Sequence, residues 1–392
     1  MNKNILNTGV QDFISENLNT DMMSVLLKKP LFTGVTQKEL VEQLEAKKKC
    51  QDKLPTWFKT PKIYYPNKLN IEQTSSEITA QYKANLIDGN SLIDLTGGYG
   101  VDDYFFSQKF SEIYHCELDE NLSKIADYNY EILGVKNIKC IAENGLDFLH
   151  KTKHIFDWIY IDPSRRNDSK EKVFFLSDCL PNVPENLDLL FYKSCNILIK
   201  TSPLLDFTIG INELKFVKEI HVVAVQNDVK ELLWILEKGY LGNCNIKTIN
   251  STKTETEVFN FSLSEEKEMI SELSEPLSYL YEPNSAILKS GAFKIVGNKF
   301  KLKKLHEHSH LYTAKELIDF PGRSFKIEQV LPYQKKEIQK LGLTKANITT
   351  RNFPDSVANI RKKHKIKDGG DSYLFFTKNA EDKYVVLICS KV

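Results

Sequence analysis

The sequence predicts an α/β fold: a doubly wound parallel sheet, preceded by helices and followed by a second α/β module. Three observations predict it. The run IDLTGGYG at 93–100 takes an apolar strand into a glycine turn, and a helical segment follows. Apolar segments then alternate with helical ones through Leu263, the pattern of parallel strands joined by crossovers. Charge is also split along the chain. Residues 283–392 hold 19 Lys and 3 Arg against 10 Asp and Glu, net +12, within a chain of net charge +1. Such asymmetry points to a basic module that meets a polyanion.

Residues 1–69 read as an N-terminal helical region. Met22, Val25 and Leu26 space as one helix face, as do Leu40 and Leu44, and Thr36 is placed to cap before Lys38 and Glu39. Trp57 and Phe58 are expected to dock this region onto the next, and Pro55, Pro61 and Pro66 punctuate a linker. Residues 70–265 are the central domain. Ser75 or Ser76 caps a helix carrying Ile78, Tyr82 and Leu86. The first strand holds Leu92, Ile93 and Leu95, and a helix runs from Asp102 toward Phe110. Further strands are expected at 113–117, 138–142, 156–162, 197–200, 221–225 and 258–263, with Leu232–Leu236 helical. A charged linker at 265–275 leads to the module 277–392, with strands at Phe293–Val296 and Tyr384–Cys389, the latter closing a sheet. Pro321-Gly322 and Gly369-Gly370 read as turns.

The functional candidates sit at strand ends. Gly97, Gly98 and Gly100 let the backbone approach a ligand, and the helix start behind them offers free amide donors. Glu117 ends the second strand about 20 residues on, where such folds place a carboxylate on ribose hydroxyls. Asn144 follows the third strand, and Asp162-Pro163 ends the fourth, with Arg165 and Arg166 behind it. Asp102 reads equally as helix-start charge or as a cofactor contact.

This order resembles the class I S-adenosylmethionine-dependent methyltransferases over residues 71–265. DLTGGYG is similar to the family's first motif, with Thr96 in place of its first glycine, and Asp162-Pro163 to the start of the fourth. Ser164 and Arg165 replace that motif's second proline and base-stacking aromatic. The resemblance implies that Asp94 and Thr96 lie near the methionine moiety, with Gln73 and Ser75 bordering the same end. It implies the ribose on Glu117, the adenine beside Asn144, and Asp162 at the transfer centre. Over its full length the chain resembles bacterial class I methyltransferases carrying a C-terminal THUMP-like module. The carrying strings are DPSRR at 162–166, YEPNSAILKSGAFK at 281–294, HLYT at 310–313, DFPGR at 319–323, KANITTRNFP at 345–354 and KDGGDSYLFF at 367–376.

The implied activity is methylation of a base nitrogen in structured RNA, tRNA or rRNA, with S-adenosylmethionine as cofactor. Arg165, Arg166, Arg351, Arg361, Lys362, Lys363 and Lys365 are the expected RNA contacts, and Phe353 is expected in the core. The alternatives are a protein or small-molecule methyltransferase, or a non-catalytic RNA-binding protein on the same fold. A nicotinamide dinucleotide would prefer GxGxxG, which is absent, as are a P-loop, a Ser-His-Asp order and paired nucleophilic cysteines. His306, His308 and His310 alternate as on one strand face, but no ligand-spaced Cys or acid accompanies them, so no metal is expected. Seven scattered cysteines without CxxC read as reduced, with Cys116, Cys140 and Cys195 in or beside core strands. Without a long apolar run or a signal-like leader, a cytoplasmic protein is expected.

Overall fold

The computed structural model describes residues 1–165 and 175–392. The chain divides into two compact units, Met1–Val217 with Leu233–Tyr240, and Lys218–Leu232 with Leu241–Val392.

In the first unit Thr36 starts the helix Gln37–Lys53 through a reciprocal capping box. Its hydroxyl accepts the Glu39 N–H at 3.2 Å, and the Glu39 carboxylate accepts the Thr36 N–H at 2.9 Å. Leu40 and Leu44 are fully buried, but of the Met22–Leu26 helix only Val25 is, Leu26 being 41% exposed. Trp57 is buried with its ring 4.9 Å from that of Tyr104. Ser76 caps the helix Glu77–Ala84. That helix buries Thr79, Ala80, Lys83 and Ala84 and leaves Ile78 half exposed, so the expected apolar face is rotated. The rotation places Lys83 against a buried carboxylate, described below.

Five parallel strands follow: β1 (Gly89–Asp94), β2 (Phe110–Cys116), β3 (Ile138–Ile141), β4 (Phe156–Ile161) and β5 (Ser194–Thr201). Their spatial order is β3-β2-β1-β4-β5. The order reverses between β1 and β4, and ligands of such sheets bind at the carboxyl ends beside that switch point. Leu92, Ile93, Ile159, Ile161, Leu198 and Ile199 are fully buried, as in sheets covered on both faces. Cys195 lies near the start of β5, ahead of the buried run from Ile197. It is therefore exposed rather than in the core, while Cys116 is buried.

Residues 232–236 are not helical but lie in the strand Asp228–Glu237. All five are buried, and an unbroken apolar run has no polar face to orient a helix.

In the second unit the strand ending at Val225 pairs in parallel with Asn245–Ser251, which pairs antiparallel with Thr256–Ser262. The expected linker begins as a capped helix, Leu263–Glu268. A seven-stranded sheet follows in the order Lys303–Lys304, Tyr312–Ala314, Tyr279–Pro283, Gly322–Pro332, Tyr384–Lys391, Ser372–Lys378, Asn347–Thr350. Tyr384–Lys391 is therefore an inner strand and closes nothing, because Gly322–Pro332 and Ser372–Lys378 flank it on both sides. Phe293–Val296 is not a strand but a turn entering the helix Ile295–Phe300. The Glu266 carboxylate accepts the N–H groups of Phe293, Lys294 and Ile295 at 3.2, 3.0 and 2.9 Å, so they serve a helix start and not a ladder. Leu280, Phe325, Phe375 and Leu387 form the core of this sheet, and Phe353 packs half-buried against a second cluster around Phe376.

Candidate active site

The turn after β1 adopts at two points the left-handed backbone that glycine takes without strain. Gly98 has φ +58° and Gly100 φ +81°. A Cβ on Gly97 would fall 2.2 Å from the His115 ring, and one on Gly100 2.0 Å from the Tyr130 hydroxyl. At Gly98 the nearest atom to a Cβ is the Thr96 carbonyl at 3.8 Å, so the outer side of the turn is open. Glu117 follows β2 directly. Its carboxylate accepts the Gly98 N–H at 2.9 Å and the Asp119 N–H at 2.7 Å. Two accepted bonds leave half of a carboxylate's acceptor sites for a ligand's hydroxyls.

The ends of β1 and β4 are joined through Thr96. Its hydroxyl donates to Asp94 Oδ1 at 3.0 Å and accepts the Asp162 N–H at 2.7 Å. Asp94 Oδ1 also accepts the Thr96 N–H at 2.7 Å. Burial, reinforced by Asp103, pushes the Asp94 carboxyl well above its ordinary range. Asp162 is part-exposed, with its Oδ2 in an ion pair with Lys200 from the end of β5. Pro163 behind it is buried and removes a backbone donor where the chain leaves the sheet.

Below this edge lies a buried polar network. Asp102 Oδ2 accepts from Ser75 Oγ at 2.9 Å and from the Tyr160 hydroxyl at 2.8 Å, and Lys83 Nζ is 3.1 Å from Oδ1. Lys83 also donates to Ser75 Oγ at 2.9 Å. Burial alone would raise the Asp102 carboxyl, but the Lys83 and Lys200 charges and the two hydroxyl donors hold it below its usual range. Lys53 donates to the carbonyls of Ile71 and Glu72 at 2.9 and 2.8 Å, fixing the segment that leads to Ser75. Burial, then the Lys200 charge, pushes Lys53 down to about 8.

The structure thus gathers Ser75, Asp94, Thr96, Gly97, Gly98, Gly100, Glu117 and Asp162 at one end of the first unit's sheet. Gln73 ends the helix Lys68–Gln73 and is exposed. Asn144 is exposed, and its Oδ1 caps the helix Gly145–Lys151 by accepting the Leu146 N–H at 2.9 Å. Arg165 lies in a two-residue strand paired with Cys179–Leu180, and Arg166 lies outside the described residues. Lys83, Tyr160 and Lys200 emerge only from the fold, which also shows Asp102 to be the centre of the buried network. The sequence signal for both lysines is a cation in an otherwise buried pattern: Lys83 among Thr79, Ala80 and Ala84, and Lys200 after Ile197-Leu198-Ile199.

Among the expected RNA contacts Arg351 and Arg361 are engaged within the second unit. Arg351 donates from Nε and Nη2 to Glu282 Oε1 at 3.0 and 2.8 Å, and Arg323 holds the other oxygen of the same buried carboxylate. Arg361 pairs with Asp368 and donates to the Ala346 carbonyl at 3.1 Å. These guanidiniums brace the module, because a buried carboxylate and unpaired carbonyls need donors. Lys363 sits 4.8 Å over the Tyr333 ring, and Lys362 and Lys365 are exposed. The three histidines lie in a turn, not on a strand face: His306 bonds Asp382 at 3.0 Å and His310 stacks on Phe293 at 3.7 Å. Among the described residues no cluster of His, Cys, Asp or Glu is placed to hold a metal, and no helix is long and apolar enough to cross a membrane.

A family model of a ferredoxin-like domain matches residues 279–321, and one described as THUMP domain-like matches 322–391. A crystal structure from Porphyromonas gingivalis W83, of a protein assigned as a methyltransferase, is similar over 100% of this chain and 98% of its own. The two are 31% identical, with a TM-score of 0.90. An uncharacterized RNA methyltransferase of Mycoplasma mobile is 22% identical over 228 residues, which span 55% of this chain and 61% of that protein. This chain belongs to the class I methyltransferases that carry a C-terminal THUMP-like domain.

Proposed function

We propose that the chain uses S-adenosylmethionine to methylate a base nitrogen of structured RNA, tRNA or rRNA. The observation that carries this reading is the placement of two carboxylates at one sheet edge. Glu117 is tied to the Gly98 N–H, and Asp162 is tied by its backbone to Thr96. The residues suit the cofactor. The open side of Gly98 admits a ligand against the backbone, and the remaining acceptor sites of Glu117 match a vicinal diol. Glu117 would hold the ribose, the turn Gly97–Gly100 would pack against the nucleoside, and Asn144 would border the base. Asp94, Thr96, Ser75 and Gln73 would line the methionine end. When bound, the cofactor supplies an electrophilic methyl group.

The chain's own work is alignment. Asp162 Oδ2 is occupied by Lys200, so Oδ1 is the atom that accepts an N–H of the target amine and orients its lone pair. Fixed geometry and exclusion of water matter more to such a displacement than a strong base. The name of the Mycoplasma mobile relative and the basic C-terminal module support RNA as the substrate. Lys362, Lys363 and Lys365, together with Arg165 and Arg166, would meet phosphates, and the target nucleotide would be presented out of its stack.

The test is transfer of labelled methyl from S-adenosylmethionine to total RNA from cells lacking the gene, with ribonuclease and Asp162→Ala controls. Ribonuclease-sensitive label that requires Asp162 is the expected result. Absence of RNA label, with cofactor binding confirmed by calorimetry, overturns the RNA assignment.

A further inference from the structure

We infer that Lys200 is the positioning residue of the transfer centre, locking the Asp162 carboxylate so that one oxygen faces the target amine. This rests on the proposed role of Asp162. Three observations carry it. The parallel register pairs Ile161 with Ile199, so Asp162 and Lys200 are adjacent one step beyond the last paired residues of β4 and β5. The Lys200 side chain is only 13% exposed, at the end of a strand whose preceding residues Ile197, Leu198 and Ile199 are completely buried. A cation there is costly unless paired, and its ammonium is bonded to Asp162 Oδ2.

The third observation is the division of labour among nearby charges. Asp102 has Lys83, Ser75 and Tyr160 as direct partners and feels Lys200 as a nearby charge. Asp162 has its backbone N–H on Thr96 and its Oδ2 on Lys200, so main chain and side chain are both tied. With both fixed, Oδ1 is left in one orientation, which is how a rigid support shell preorganises a reacting group. Where related motifs place an aromatic to clamp the target base, this chain has Ser164-Arg165. A carboxylate held rigid by Lys200 supplies orientation in a chain that lacks that aromatic.

The test uses the full chain with Lys200→Met, Lys200→Arg, Asp162→Asn and the Lys200→Met/Asp162→Asn double variant. Methyl-transfer kcat and KM, cofactor affinity by calorimetry, and Tm are measured on each. Lys200→Met should lower kcat about 100-fold with cofactor affinity within about twofold, a size typical of lost positioning. Lys200→Arg should recover most of kcat. The double variant should be no slower and no less thermostable than the worse single variant, because the two residues act as one unit. Unchanged kcat in Lys200→Met overturns the inference, as do additive kinetic losses. If the wild type transfers no methyl, the proposed function fails, and the Tm cycle still decides the pairing: additive Tm losses overturn it.

Discussion

The Thr96 hydroxyl accepts the backbone N–H of Asp162 at 2.7 Å while donating to Asp94. One hydroxyl thus fixes the spacing between the ends of β1 and β4. Thr96→Val keeps the shape and deletes the hydroxyl, stranding a part-buried N–H. We predict a stability loss of about 1–3 kcal/mol by chemical denaturation, with a fall in kcat, whereas Thr96→Ser retains both. A Thr96→Val variant as stable and active as wild type would show the bridge to be idle.

Glu117 joins the Gly98 and Asp119 amides to the open face of the turn. Hydrogen bonds to a charged group contribute about 1.5–3 kcal/mol, so Glu117→Ala should weaken S-adenosylmethionine binding about 10- to 100-fold. Calorimetry reads this directly, and an unchanged dissociation constant rejects the ribose role. Asp162→Ala should leave the same constant nearly intact, because Asp162 is assigned to the substrate side.

His310 is stacked on Phe293, and burial, then the charges of Lys304 and Arg351, pushes its imidazole down to about 4. A depressed folded value means that the unfolded chain takes up the proton first. The stability linked to His310 is therefore full above pH 6.5. It is lost as pH falls from 6.5 toward about 4, with no further loss below. His310→Phe keeps the stack without the titration, so Tm should fall less steeply over that window. Parallel Tm curves for variant and wild type would remove His310 from the acid response.

Exposed lysines and braced arginines should separate experimentally. Lys362→Ala/Lys365→Ala removes two solvent cations. It should reduce the slope of log RNA affinity against log salt by about 2 while leaving Tm unchanged. Arg351→Met should instead lower stability by about 1 kcal/mol. Glu282 keeps Arg323, and the Arg351 side chain is 37% exposed, which screens the pair. Filter binding across a salt series, beside thermal melts, distinguishes the two; a Tm loss confined to the lysine variant would reverse the assignment.

The parallel sheet was legible because period and punctuation agree. Apolar runs end in Gly97–Gly100, Glu117 and Asp162, and strand ends are where such sheets bind ligands. Helix starts were legible for the same local reason, as Thr36 with Glu39 shows. Leu232–Leu236 and Phe293–Val296 were not. An apolar run without polar interruption fits either element, and the second segment is decided by a distant carboxylate, Glu266.

The sequence by itself determined the strand-and-helix alternation from β1 to β5, the glycine turn and the carboxylates at the strand ends, because these are set within a few residues of chain. Only the tertiary structure decided who partners whom. Lys200 reaches Asp162 because β4 and β5 are neighbours in register, and Lys83 reaches Asp102 from a helix that precedes the sheet. It likewise decided that Arg351 serves Glu282. Pairing of buried charge depends on distances between segments remote in sequence, and burial makes each such pairing obligatory.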